Sequence, residues 1–197
     1  MKKLIRHRSA SRGFTLIEIL VVIGIMGILM TASYPSILNT MAVRNLENTT
    51  RRVQTFLQQT KFQAVNTKIV HRVRFYRVDG SSWAYEMERM QSDLSASPST
   101  ITWVRVPGSP RKTISNRFNV TFTFPAEGAD RIVSFSPMGT FPAEAIFSPL
   151  GTFPVFNSNQ NSMTLQSPKL DRPGQMDERV LSIFMGGSIQ YAKRKSS

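Results

Sequence analysis

Residues 14–34 form an apolar run of 21 residues that carries one charged side chain, Glu18. At 1.5 Å per residue a helix of that length is about 31 Å long, enough to cross the hydrocarbon of a bilayer. A charge at the centre of such a segment costs about 2.5–3.5 kcal/mol on insertion scales. An ionisable residue there marks a function and calls for a partner of opposite charge.

Ahead of the run, residues 1–13 hold Lys2, Lys3, Arg6, Arg8 and Arg12 and no acid. Three ordinary readings fit a basic segment followed by an apolar one. They are a secretory signal peptide cut near Thr31-Ala32-Ser33, a plain signal anchor and a buried core helix. The run is long for a signal-peptide core, a helical pattern continues beyond it, and Glu18 is a defect in all three.

The ordered stretch Gly13-Phe14-Thr15-Leu16-Ile17-Glu18-Ile19-Leu20-Val21-Val22-Ile23 resembles the class III signal of type IV pilins and type II secretion pseudopilins. The resemblance implies that a prepilin peptidase cuts between Gly13 and Phe14 and N-methylates Phe14. It also implies that Glu18 pairs with the Phe14 ammonium of a neighbouring subunit during assembly. Opposite charges in a low-dielectric bundle attract strongly, and either one alone is costly. The other partners implied are further major and minor subunits and an inner-membrane assembly platform. Residues 1–13 are then a removed leader, 14–34 a membrane and filament-core helix, 35–67 its amphipathic continuation, and 68–197 a periplasmic or extracellular β domain. Positive charge before the apolar segment keeps that end cytoplasmic.

The remaining 163 or so residues are enough for one domain. Without cysteine, no disulfide, thiolate metal site or cysteine nucleophile is available. The two histidines are His7, in the leader, and His71, which reads as a surface or half-buried strand residue. There is no Gly-rich phosphate loop and no histidine–carboxylate cluster, so no enzyme, metal centre or cofactor is expected. Asp177-Glu178, the adjacent acid pair, reads as a solvated loop pair, with Ca²⁺ binding the alternative. The formal charge is +13; without the leader it is +8, which favours anionic surfaces without choosing among them.

Beyond Pro35, where a helix kink is expected, Leu38, Ala42, Leu46, Val53, Leu57 and Ala64 recur at helical spacing, with Thr49 and Thr60 in the gaps. Gly24 and Gly27 permit close helix approach in the apolar half. From Ile69 the pattern turns to strands. Val73 and Phe75 alternate with Arg72 and Arg74, and Trp83, Tyr85 and Met87 alternate with Ala84, Glu86 and Glu88. Asp79-Gly80-Ser81-Ser82 between them reads as a hairpin turn. Residues 118–124 give the clearest period-2 run. Short strands are expected at 132–135, 163–165, 180–184 and 188–191, and loops at 91–100 and 107–112. Phe135-Ser136-Pro137-Met138-Gly139-Thr140-Phe141-Pro142 recurs 12 residues on, from Phe147 to Pro154. Ser-Pro-x-Gly fits a type I turn, so the repeat predicts two successive strand–turn corners.

The expected fold class is α+β and pilin-like: one long N-terminal helix packed on an antiparallel β domain. Within that architecture the chain resembles the minor pseudopilin group that contains GspH and FimT. The features that carry this are the Gln-rich helix continuation at 56–65, the Phe-x-Pro-x-Gly corner at 135–139, and the ending Arg179-Val180-Leu181-Ser182-Ile183 before Gly186-Gly187. Where that group often has Gly followed by Arg in the last turn, this chain has Gly187-Ser188.

Two functions follow. One is a minor subunit of a type II secretion pseudopilus or type IV pilus that docks through Glu18 and supports secretion, its β domain touching neighbours or secreted cargo. The other is a pilus-displayed DNA-binding module for DNA uptake or adhesion. Its cations would be Lys193, Arg194 and Lys195, extended by Arg105, Arg111 and Lys112, with Tyr191 able to stack on a base. The plain reading of the tail is a frayed, solvated terminus. A membrane-anchored binding domain of another kind predicts no cut at Gly13 and gives Glu18 no role.

Overall fold

A computed structural model describes residues 14–93, 100–124, 126–140, 161–170 and 174–196. The chain divides into two compact units, Met1–Thr40 and Met41–Ser197. One helix, α1 (Leu16–Thr67), contributes to both, and Pro35 lies within it. No residue from 14 to 38 is buried.

In the second unit α1 buries one stripe: Leu46, Thr50, Val53, Phe56, Leu57, Thr60 and Ala64. Steps of three and four keep a helix face turned one way. The stripe differs from the sequence expectation in three places. Thr50 rather than Thr49 is buried, Phe56 joins the core, and Leu38 is exposed. The two buried threonines satisfy their hydroxyls within the helix, donating to Leu46 O at 2.8 Å and Phe56 O at 2.9 Å.

Ten strands follow. They are β1 (His71–Arg77), β2 (Trp83–Asp93), β3 (Thr100–Arg105), β4 (Lys112–Ile114), β5 (Asn119–Phe122), β6 (Ala126–Glu127), β7 (Asp130–Phe135), β8 (Ser162–Gln166), β9 (Glu178–Ile183) and β10 (Ile189–Arg194). All pairings are antiparallel. The first sheet runs β3-β2-β1-β7-β6, with β4 pairing a further part of β2, and the second runs β10-β9-β8-β5. The fold is thus α+β, as expected for a pilin-like chain. The long loops expected at 91–100 and 107–112 are shorter: β2 reaches Asp93, β3 starts at Thr100 and β4 at Lys112.

One core joins the helix to both sheets. Phe56 meets Tyr85 edge-on at 5.0 Å between ring centroids. Phe122 of the second sheet meets Phe75 at 5.1 Å and Trp83 at 4.7 Å in the first. Met163, Leu165, Leu181 and Ile183 close the other side. Burying a side chain such as Phe56 stabilises the fold by about 1.5–3 kcal/mol.

On the opposite face of the first sheet Arg72, Glu86 and Glu88 are also buried. Arg72 pairs through Nε with Glu88 at 2.6 Å and through a terminal nitrogen with Glu127 at 2.8 Å. Its guanidinium lies 4.0 Å from the Trp103 ring centroid. Arg74 pairs with Asp130 at 2.6 Å. The register Arg72↔Glu88 and Arg74↔Glu86 places the opposite charges side by side.

The hairpin turn stands as expected, with Gly80 at φ 69° and Val78 N–H donating to Ser82 O. So does the first repeat corner. Gly139 N–H donates to Ser136 O at 2.8 Å, and Ser136 Oγ accepts from the Met138 and Thr140 amides. The second corner, from Phe147 to Pro154, lies outside the described residues.

Candidate functional site

Thr15 caps α1. The Glu18 amide donates to Thr15 Oγ1 at 3.3 Å and to Thr15 O at 3.1 Å, so Leu16 is the first helical residue and Glu18 the third. Thr-x-x-Glu is the capping-box pattern, and its threonine satisfies a helix N–H that otherwise has no partner. Sequence reading overlooked this role, although Thr15-Leu16-Ile17-Glu18 signals it. An acid in the first turn also gains about 0.3–1 kcal/mol from the helix dipole. That is smaller than the cost of about 2.5–3.5 kcal/mol for a charge at the centre of a bilayer. Among the described residues the Glu18 carboxylate has no hydrogen-bond or ion-pair partner.

Phe14 lies just outside the helix and is 79% exposed. An 18-residue window of α1 reaches a mean hydropathy of 2.3 with none of it buried. A core helix would bury its apolar side, so that alternative fails. The first unit thus holds an exposed apolar helix with one uncompensated carboxylate in its first turn, close to Phe14. Gly13 and the leader lie outside the described residues.

The C-terminal cations sit on ordered backbone. Lys193 and Arg194 belong to β10, opposite Arg179 and Glu178 of β9. The Ser196 N–H and hydroxyl donate to Asp177 at 2.9 and 2.8 Å. The tail is therefore not a frayed terminus. Its strand pairing continues to Arg194, and a buried carboxylate holds the residue after Lys195. Lys193 lies 3.6 Å from Glu47 of α1, and Arg51 stacks over Tyr191 at 5.3 Å. Tyr191 is thus engaged by the protein itself.

Asp177 is not a solvated loop acid, as it is 1% exposed. Burial pushes its carboxyl up. Hydrogen bonds from the Ser196 amide, the Gln166 side chain and the Ser196 hydroxyl outweigh that and hold it down at about 2. Its oxygens serve the fold, and no group of three metal-ligating side chains exists among the described residues. His71 is fully buried rather than half-buried, with Nδ1 2.9 Å from Ile69 O, and burial lowers its pKa. Arg105 and Arg111 lie on the first sheet's outer side, each about 4 Å from Glu86. Lys112 instead lies over the Phe56 ring. The structure does not bring these three cations into one patch with the tail.

Comparison with protein families matches residues 8–34 to the prokaryotic N-terminal methylation motif. The match spans Gly13, Phe14 and Glu18 and the whole exposed apolar helix. Together with the α+β architecture it defines the class: a type IV pilin-like protein. Such a chain is a structural subunit and not an enzyme. No curated protein and no solved structure matches the chain.

Proposed function

We propose that this chain is a minor pseudopilin of the GspH/FimT kind, anchored in the inner membrane with its N-terminus cytoplasmic and its β domain periplasmic. Prepilin peptidase cuts between Gly13 and Phe14 and methylates Phe14. The mature chain then joins other pilin or pseudopilin subunits on the inner-membrane platform and supports protein secretion. The observation that carries this reading is Glu18: a lone carboxylate on a bare apolar helix, one turn from the amino terminus that cleavage would create. The Phe14 ammonium of an adjacent subunit supplies the missing countercharge.

Deleting the gene and complementing it with the wild type or with Glu18→Ala tests the reading. Wild type restores secretion or piliation and the variant does not, while both are cleaved. Full rescue by Glu18→Ala overturns it.

A second reading draws on the ordered tail. Arg194 and Lys195 are exposed on and beyond β10. They form a basic edge suited to DNA phosphates. Affinity that falls steeply with salt and is lost in Arg194→Glu/Lys195→Glu, with assembly intact, is its signature. Binding unchanged by that substitution removes it.

A further inference from the structure

β10 runs along one face of α1, antiparallel to it. Gln54 Nε2 donates to Ile189 O at 3.4 Å, Arg51 stacks over the Tyr191 ring at 5.3 Å, and Lys193 lies 3.6 Å from Glu47. Each two residues of the strand thus meet the helix three or four residues nearer to Met41, where the second unit begins. The next cation on that helix face is Arg44, three residues before Glu47. The strand ends at Arg194, and Lys195 follows it before Ser196 is fixed to Asp177. One end of the second unit therefore gathers Arg44, Arg51, Lys193, Arg194 and Lys195.

These charges are poorly balanced. Glu47 serves both Arg51, at 3.0 Å, and Lys193. Glu178 faces Arg194 across the strand pair but makes no ion pair with it among the described residues. Arg44, Arg194 and Lys195 are all exposed and have no ion pair or hydrogen bond among the described residues.

Tyr34, the last residue of the exposed apolar run, precedes Arg44 by ten residues. Even fully extended, such a connection reaches only about 36 Å. At whatever angle the second unit stands to the first, the tether holds these cations near the bilayer that the apolar run enters. A short tether of this kind gives an effective concentration of about millimolar. Cations beside a membrane helix are attracted to anionic headgroups, and the attraction fades within a Debye length, about 8 Å at physiological salt.

We propose that this basic end of the second unit docks on anionic phospholipid headgroups of the bilayer that holds the chain's own apolar helix. The connection selects the occupant: DNA phosphates must arrive from solution, whereas lipid phosphates lie within tether length. Docking belongs to the subunit before assembly and is given up when it leaves the membrane. The inference rests on the membrane anchoring proposed above, and its test separates the two.

The test uses the full-length chain in nanodiscs of phosphatidylcholine, alone or mixed with phosphatidylglycerol. The chain has no cysteine, so a single Gln58→Cys, exposed on α1 and clear of the cations, carries a donor dye. A headgroup-labelled lipid is the acceptor, and energy transfer reads how close the second unit comes to the bilayer. Transfer should rise when anionic lipid is included and fall back in high salt. Arg44→Gln/Lys195→Gln should lower the docked-to-undocked ratio about fivefold for each cation lost. Lys68→Gln/Arg89→Gln removes the same charge beyond the other end of α1 and should change it little. Equal transfer in neutral and anionic discs, transfer insensitive to salt, or equal effects of the two double variants would overturn the proposal. So would release of the second unit by duplex DNA at equal phosphate concentration, which assigns the surface to nucleic acid. A dye at Ile25→Cys reports whether the apolar run is inserted. A run that stays in water removes the anchoring and this proposal with it, whereas an inserted run with an undocked second unit removes this proposal alone.

Discussion

Gly187 lies so close to Gly139 that a Cβ on Gly187 would collide with the Gly139 carbonyl. The two glycines sit in separate turns, one after β7 and one between β9 and β10, both with positive φ. Lys61 of α1 spans the junction, donating to Gly187 O at 3.1 Å, with its Cε against Gly139. The first corner of the repeat is thus a packing element where the end of the second sheet meets the helix.

Gly187→Ala is expected to cost about 2–4 kcal/mol, because a backbone carbonyl cannot move aside cheaply and φ is positive. Gly80→Ala shares the positive φ but has open space around it, so it should cost only about 1 kcal/mol. Chemical denaturation of both variants measures the gap. Equal losses would mean that the close approach carries no weight.

Glu88→Gln should cost about 3 kcal/mol, since it leaves the Arg72 guanidinium buried with only Glu127 to compensate. Arg72→Met/Glu88→Leu should recover much of that loss, because removing both charges also removes their desolvation cost. A single variant as stable as the wild type would contradict the buried pairing.

Two pH windows follow from the buried titratable groups. His71 has a folded pKa below its ordinary 6.5, so its contribution is full above about 6.5 and is lost as pH falls towards the lowered value. Asp177 contributes fully above its ordinary 3.8 and loses that contribution as pH falls to about 2. Unfolding free energies measured from pH 8 to pH 3 should decline from about pH 6.5 downward, and His71→Phe should flatten that first decline. A slope unchanged in His71→Phe would assign it to another group.

Much of the fold is legible in the sequence because its signals are local. The helical stripe, the Gly80 hairpin and the alternation in β5 all repeat within a few residues. The misses have particular causes. The alternation of Ile101 and Trp103 is short and sits between a serine-rich stretch and a proline turn, so β3 does not stand out. The burial of Glu86 and Glu88 is not visible in the alternation of their strand, because nothing local says that Arg72 and Arg74 lie beside them. The tail reads as frayed because its strand depends on β9, and Asp177 reads as solvated because its donors lie at Gln166 and Ser196. At the N-terminus the apolar run, Glu18 and the Thr15 cap are contiguous, so nearly all of that site can be read from residues in order.

Glu18→Gln separates processing from assembly. The cut between Gly13 and Phe14 should proceed as in the wild type, and incorporation into sheared filaments should fall by an order of magnitude or more, because an amide cannot neutralise an ammonium in low dielectric. Immunoblots of sheared and membrane fractions measure both. Normal incorporation would leave Glu18 with its helix-capping position alone.

The most direct measurement is the intact mass and N-terminal sequence of the membrane-extracted protein, with and without Gly13→Val. The account expects a chain beginning at N-methylated Phe14 in the wild type and an uncut chain in the variant. A wild-type chain that begins at Met1, or one cut near Ser33, would contradict it.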